Sequence, residues 1–510
     1  MKTVTSGPDP RRWWALGAMC LAIFLVAVDG TVLSLATPSI VEDLHPTATQ
    51  VLWIGDIYSF VLAGLLVTMG NVGDRVGRKK LLLIGGTLFA LISIPAAFAP
   101  NAETLILMRA LLGVAGATLM PSTLALMRST FHDPKERTFA VGVWSAMGAA
   151  GAAAGPLVGG ILLENFWWGS VFLLNVPIMA LVLLIGFPAL RESRDPKPGP
   201  LDPLSVVLSL VGILGLIFAV KEMATRGVEV EYLVIAVVGM VAIAWFIRRQ
   251  RRLEYPLIDV RLFSNWPFTG AVLGMILSVF GLAGSLFFFS QYLQFVKGLS
   301  PLQAGMFELP ATMAALVAAL VAGRLMRGFG RGPLTGIGLL MIGGGMAAVA
   351  MLLDNPHFLV FAVPLMMIGA GDGVALTVAS DTILTVAPKD RAGAASAVSE
   401  TGYELGTALG IALLGSVLTA VYQARLQLPP GLDAAVTTAA VESPGGAYEA
   451  APKLPAPVAT ALTEAAHEAF STAMTLTTLV GAVILVVGAF VAWYLLPGKV
   501  DPVDELAPER

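Results

Sequence analysis

Fourteen apolar segments, each about as long as a bilayer is thick, leave this chain few folds to choose from. A hydrocarbon core of roughly 30 Å needs about 20 apolar helical residues. Segments that meet this run over 13–36, 50–71, 81–99, 104–127, 138–162, 168–190, 203–221, 230–248, 267–293, 301–326, 333–353, 358–387, 393–422 and 469–496. In lipid, backbone polar groups must bond within their own segment or a closed barrel, so runs of this length are helices. Composition agrees. The chain is 56% hydrophobic and 13% charged, against about 25% charge in soluble domains. The expected fold class is all-α integral membrane, with 14 transmembrane helices. The first segment follows Arg11 and Arg12 but is too long for a signal peptide and lacks a small-residue cleavage site, so it reads as a retained helix. Cys20 is the one cysteine, which excludes an internal disulfide.

An even number of spans puts both termini on one side. With the N-terminus inside, 25 of the 31 Lys and Arg fall in inner segments and 5 in outer loops, and Arg109 alone falls within a span. That asymmetry places both termini in the cytoplasm. Three blocks follow. Residues 1–190 make a six-helix unit, residues 191–260 a linker with two further spans, and residues 261–510 a second six-helix unit with an external loop at 423–468. Two related halves with a site between them is a known transporter plan. The external loop, rich in Ala, Pro and Gly, reads as a mobile linker whose Ala-rich tail, 456–470, could form a short helix at the membrane surface. Nothing resembles a contiguous basic nucleic-acid domain. No G-x4-GK[ST] phosphate loop occurs, and the expected cofactor set is empty.

The strongest local signal is the basic turn Gly70-x-Val72-Gly73-Asp74-Arg75-x-Gly77-Arg78-Lys79 between the second and third segments. Glycines permit a tight turn, and Asp74 can cap or pair at a helix end. A weaker echo, Gly323 to Arg331, lies in the second half, with Arg327 where the first copy has Asp74. From it no acidic counterpart to Asp74 is expected there. The fifth segment carries Gly142, Gly151, Gly155, Pro156, Gly159 and Gly160. Small residues four apart allow close helix approach, and Pro156 can bend the helix.

Ionisable residues within spans mark function by default. Arg109 costs about 2.5–3.5 kcal/mol there unless it is paired or snorkels. Asp29 and Asp56 fall, like Arg109, in the outer halves of their segments and could share a cluster with it; a solvated helix end remains open for Asp56. The second half holds Glu308, Asp372, Asp381, Glu400 and Glu404. Glu400 and Glu404 share one helix face, about 6 Å apart along the axis, and two carboxylates so close do not both ionise readily. An exposed vestibule position remains open for Asp381 and Glu400. Trp53, Tyr58, Met120, Trp144, Phe287, Tyr292 and Tyr403 could hold flat lipophilic cations by stacking and cation–π contact, with plain packing the alternative for each.

Taken together these motifs resemble the fourteen-helix drug:proton antiporter family of the major facilitator superfamily. The likeness runs over nearly the whole length and includes WIGDIYSFVLAGLL, MPSTLALMRSTF, DPKER and ASAVSETGYELG. The resemblance implies two six-helix bundles plus two inserted helices, no enzymatic activity, and export of lipophilic, mainly cationic compounds in exchange for protons by a monomer. It makes Asp29, Arg109, Asp372, Glu400 and Glu404 proton-coupling candidates. Asp29, Asp56, Trp53, Tyr58, Trp144, Glu308, Phe287, Tyr292, Glu400, Tyr403 and Glu404 become substrate candidates. The basic turn, with Gly70, Asp74, Arg75, Gly77 and Arg78, and the glycines of the fifth segment become the conformational switch. One departure stands out. Ala314 and Ala315 occupy positions where one branch of the family places an acid associated with divalent drugs, and Glu308 lies about two turns away. A dedicated exporter of a single natural product would carry the same motifs, and a non-transporting sensor on this fold would leave them idle.

Overall fold

The computed structural model describes residues 10–46, 48–194, 202–226, 229–254, 256–258, 260–299, 301–353, 355, 359–387 and 392–496. Lys2, Lys197, Lys389, Arg391, Lys499 and Arg510 of the inner charge count lie outside these residues, and so do the side chains of Lys221, Arg226, Asp56 and Pro156. Among the described residues thirteen helices are long and apolar enough to cross a membrane, and a shorter apolar one covers Pro203–Ala219. They occupy the fourteen places expected of the spans.

The first half consists of α1 (Arg11–Leu44), α2 (Ala48–Val76), α3 (Arg78–Ala97), α4 (Ala102–Thr130), α5 (Pro134–Asn165), α6 (Ser170–Leu173) and α7 (Asn175–Ala189). Helix starts follow local chemistry. Asn101 accepts from the Thr104 amide to cap α4. Asp133 caps α5 through the Lys135 amide, with Pro134 at the first helical position. The sixth span is broken between α6 and α7 at Leu174. Pro177 explains the break, because it has no N–H to donate to the Leu173 carbonyl.

Next come α8 (Pro203–Arg226) and α9 (Val230–Gln250), which pair with each other. The second half holds α10 (Trp266–Phe295), α11 (Pro301–Phe329), α12 (Arg331–Leu352), α13 (Leu359–Val386) and α14 (Ala392–Arg425). It closes with α15 (Ala434–Glu442), α16 (Pro444–Ala450), a 3-10 turn at Ala451–Lys453 and α17 (Ala456–Leu495). Packing repeats between the halves: α1 lies on α5 as α10 lies on α14, and α3 on α4 as α12 on α13. The halves meet where α5 packs on α11 and α2 on α14, and α8 covers the α2–α14 seam.

Two expectations are corrected here. The basic turn is far shorter than Gly70 to Leu82. The second helix runs on through Val76, and the reversal falls on Gly77 alone, at φ +116°, a left-handed-region value that favours glycine. Gly330, at φ +85°, makes the same reversal between α11 and α12. The loop at 423–468 is folded. Tyr422 donates its hydroxyl to the Ala440 carbonyl, and Ala440, Ala447, Leu462 and Ala466 join the buried core of the second half. Its Ala-rich tail forms no separate surface helix. It is the first part of α17, a continuous helix of 40 residues. Alanine's high helix propensity and its small side chain, which lets α15 and α16 approach, account for both results.

Candidate functional site

Four helices of the first half converge on Asp29. Its Oδ2 accepts from Arg109 Nη1 at 2.9 Å and its Oδ1 from Asn175 Nδ2 at 2.9 Å. Asn175 Nδ2 also lies 3.1 Å from Ser93 Oγ, and Arg109 Nε donates to the Ile54 carbonyl at 3.3 Å. All four side chains are buried. The Arg109 guanidinium stands 4.5 Å from the centre of the Tyr58 ring, over its face. Arg109 therefore does not snorkel. Its charge is neutralised inside the bundle by Asp29 and covered by an aromatic face. The Tyr58 hydroxyl is buried with no hydrogen-bond partner among the described residues. Close helix approach makes this arrangement fit: a side chain at Gly113 would meet the Tyr58 carbonyl at 2.6 Å, and one at Gly116 the Tyr58 hydroxyl at 3.1 Å.

Asn175 and Ser93 are the residues that sequence reasoning missed. A single small polar residue in an apolar run has no spacing to announce it. The one available signal was Pro177, which breaks the span and puts Asn175 at the start of α7.

The acids of the second half are held differently. Asp372 is buried on α13, and its Oδ1 accepts from Ser278 Oγ of α10 at 2.8 Å. Glu400 is buried on α14. Among the described residues no ion pair holds Asp372, Glu400 or Glu404. Glu400, Tyr403 and Glu404 lie within one turn or so of α14, and α14 packs on α10, which carries Ser278, and on α2 and α4 of the first half. The structure thus brings Asp29, Arg109, Tyr58, Glu404, Tyr403, Glu400 and Asp372 into one polar region spanning both halves.

Other expected residues lie elsewhere. Tyr292 is fully buried in the second half, stacked on Phe289 and Phe470, and its hydroxyl donates to the Leu353 carbonyl at 2.6 Å. Phe287 is exposed and meets Phe288 edge-on. Trp53 is exposed and packs edge-on to Phe60. Trp144 is buried and donates to Thr123 Oγ1 at 3.2 Å, joining α5 to α4. Glu308 is half-buried on α11 beside the Ser290 hydroxyl, and its Oε1 has no hydrogen-bond partner among the described residues.

The end of the bundle that carries the Gly77 reversal, the basic end, holds a second cluster. Asp74 Oδ1 accepts from Arg78 Nε and Nη2 at 2.9 and 2.7 Å, while its Oδ2 accepts from the Ala394 amide at 3.1 Å. Asp74 thus caps the start of α14 in the other half, where the helix dipole favours a negative charge. Arg78 Nη1 reaches Ser193 Oγ at 2.7 Å, and Glu192 accepts from the Lys79 and Lys80 amides. Arg75 Nε donates to Asn71 Oδ1 at 2.7 Å.

The sequence echo led us to expect no acid opposite Asp74 in the second half, and an exposed vestibule remained open for Asp381. The structure corrects both points. Asp381 is fully buried on α13. Its Oδ2 takes Arg331 Nη2 at 3.1 Å, and its Oδ1 takes the Thr138 hydroxyl at 3.0 Å and lies 3.6 Å from Arg137 Nε. Arg331 follows Gly330 as Arg78 follows Gly77. The acid therefore comes from a different helix, which a linear comparison of the two turns cannot see. Arg137 Nη2 to Thr385 Oγ1 at 2.9 Å and Arg128 to the Ala387 carbonyl also join the halves here.

The glycines of α5 divide between two neighbours. A side chain at Gly142 would collide with the Ala319 carbonyl of α11, one at Gly151 with the Phe24 carbonyl of α1, and one at Gly155 with Thr31. Gly160 faces open space.

Comparison with known proteins gives a consistent result. The Major Facilitator Superfamily matches residues 19–411. The chain is 45% identical to the multidrug efflux pump LfrA of Mycolicibacterium smegmatis, covering 96% of this chain and 97% of that protein. It is 38% identical to the methyl viologen resistance protein SmvA of Salmonella typhimurium, covering 90% and 93%. It is 32% identical to the tetracenomycin C resistance and export protein of Streptomyces glaucescens, covering 100% and 95%. Among solved structures, the human organic anion transporter MFSD10 superposes with a TM-score of 0.62 at 14% identity, covering 94% of this chain and 100% of that one. The proton:xylose symporter XylE does so with 0.61 at 13%, covering 96% and 97%. At those identities the structural likeness speaks for the fold alone.

Proposed function

Because this chain belongs to the Major Facilitator Superfamily, a family of transporters and not of enzymes, we propose that it is a proton-coupled efflux transporter. It exports lipophilic, mainly cationic compounds from the cytoplasm of a bacterium, works as a monomer, and keeps both termini inside. The observation that carries this reading is the unequal charge balance of the central polar region. Asp29 already has a cation in Arg109, whereas Asp372, Glu400 and Glu404 have none among the described residues. A cationic substrate or protons can supply the missing positive charge, and not both at once. Protonation from outside then removes the attraction that held the drug, which gives exchange. The halves rock about the site, and the Asp74 and Asp381 clusters hold the basic end shut in the state described here.

The test uses everted vesicles that contain the protein and a cationic dye. An imposed proton gradient drives dye uptake, and a protonophore collapses it. Glu404→Gln abolishes gradient-driven uptake. Uptake that ignores the protonophore, or persists in that variant, overturns the coupling.

A narrower reading, export of one natural product, draws support from the tetracenomycin C relative. Resistance to several unrelated cations in a drug-sensitive host excludes it. Methyl viologen belongs in that panel. It is a dication, for which the absence of an acid at Ala314 and Ala315 speaks against export, while the relative SmvA is named for resistance to it.

A further inference from the structure

The folded segment between α14 and α17 carries a cavity of about 370 Å³ that is wide open to solvent, lined by Tyr448, Ala451, Pro452, Ala459, Thr460, Thr463 and Glu464. The cavity belongs to a lobe that stands outside the membrane. At 1.5 Å per residue the 40-residue α17 is about 60 Å long, twice the roughly 30 Å of a hydrocarbon core. Its early turns therefore project from the end opposite the basic end, together with α15 and α16. The lobe is rigid. The Tyr448 ring stacks on Phe295 at 5.7 Å and 12°. Phe295 meets Phe470 edge-on, and Asp433 and Ser443 cap α15 and α16.

The lining is rich in acceptors. Thr460 and Thr463 both spend their hydroxyl protons on helix carbonyls, those of Ala456 and Ala459, so only oxygen lone pairs remain for the cavity. Glu464 offers a carboxylate, and Tyr448, whose ring stacks on Phe295, lines the cavity too. Ala451, Pro452 and Ala459 supply apolar contact. Thr460, Thr463 and Glu464 thus present acceptors to the cavity, and the Tyr448 hydroxyl, which has no hydrogen-bond partner among the described residues, is the side-chain donor on the wall. Lys453, at the end of the 3-10 turn, is exposed and does not line the cavity. The volume lies in the range of small-molecule pockets, about 300–1,000 Å³.

We propose that this cavity is an outer binding site for an organic cation with an apolar body, where an exported molecule rests after leaving the central region. The π face of Tyr448 and the carboxylate of Glu464 hold the charge, and the alanine and proline wall holds the apolar body. The assignment of a staging role rests on the export reading above; the site itself does not.

Equilibrium binding of radiolabelled tetraphenylphosphonium to the full-length protein in lipid nanodiscs tests it. In an Asp29→Asn/Glu404→Gln background the outer site still binds one tetraphenylphosphonium. Adding Glu464→Gln weakens that binding about fivefold, the scale of one exposed ion pair, with an unchanged melting temperature. Tyr448→Leu weakens it about threefold, and the neutral triphenylphosphine oxide does not compete. Equal affinity with and without Glu464→Gln overturns the outer site, as does effective competition by the neutral compound. If instead Asp29→Asn/Glu404→Gln transports normally while Glu464→Gln lowers binding, the central assignment falls and the outer site stands.

Discussion

The two halves share a helix plan but treat the buried acids of the central polar region in opposite ways. In the first half Asp29 is saturated: Arg109 and Asn175 occupy its two oxygens, and Ser93 and Ile54 hold those partners in turn. In the second half Asp372 has one hydroxyl, and Glu400 and Glu404 have no ion pair among the described residues. A closed ion pair gives a fixed reference charge and a rigid bundle. Open carboxyls give a site whose charge must come from a ligand. The pairing of one balanced half with one unbalanced half teaches where exchange can occur, and it places the burden on α13 and α14.

The largest effect expected from breaking this contrast comes from Arg109→Leu. It leaves the Asp29 carboxylate buried and unpaired, at a cost of about 3–5 kcal/mol. Loss of folded protein, seen as a collapse of the thermal unfolding transition, checks it. Arg109→Leu combined with Asp29→Asn should recover much of the stability while remaining inactive, because the uncompensated charge is gone. A pair that melts no higher than the single variant would contradict the claim that charge balance is what Arg109 supplies.

Next in size is the basic end. Asp381→Asn removes the anion shared by Arg331, Thr138 and Arg137. Asp74→Asn removes the negative charge that α14's start and Arg78 share. Each should free the basic end and slow transport by tenfold or more, with substrate affinity changed less than threefold, about 0.6 kcal/mol. Crosslinking of cysteines placed across α5 and α11 checks the opening. If Asp381→Asn leaves crosslinking unchanged while Asp74→Asn abolishes it, the two clusters are not equivalent.

The smallest effect concerns the inserted helices. Arg249 Nε and Nη2 grip Asp202 at 2.6 and 2.9 Å, and this guanidinium holds the Asp202 carboxyl well below the usual carboxylate range. A lowered folded-state value means the contribution is complete above the ordinary carboxylate pKa. It is lost as pH falls through the lowered one. Asp202→Asn should therefore lower the melting temperature slightly at neutral pH and not at all in strong acid. A difference that grows toward acid would reverse the sign and refute the assignment.

Much of this was legible beforehand because a bilayer enforces it. Span lengths, the charge asymmetry and the glycines at reversals follow from lipid thickness, the positive-inside rule and backbone sterics, each local in sequence. Gly77 and Arg78 could be singled out in this way. What stayed hidden depends on contact between distant segments. Asp381 completes the Arg331 cluster from 50 residues away. Asn175 and Ser93 reach Asp29 from α7 and α3. Tyr292 had the composition of a ligand-stacking residue, yet Phe289 and Phe470 flank its ring. The 423–468 segment looked like linker because alanine and proline carry little hydrophobic signal, although alanine's small size lets α15 and α16 pack closely.

The most direct test of the contrast between the halves is the binding of tetraphenylphosphonium at the central site, measured together with the protons released on binding. The account predicts that the wild type and Glu464→Gln release protons as the cation binds. It predicts that Glu400→Gln/Glu404→Gln loses both central binding and release while keeping a wild-type melting temperature. Proton release and central affinity that survive in Glu400→Gln/Glu404→Gln would contradict it, and would move the exchange site away from the open carboxyls of the second half.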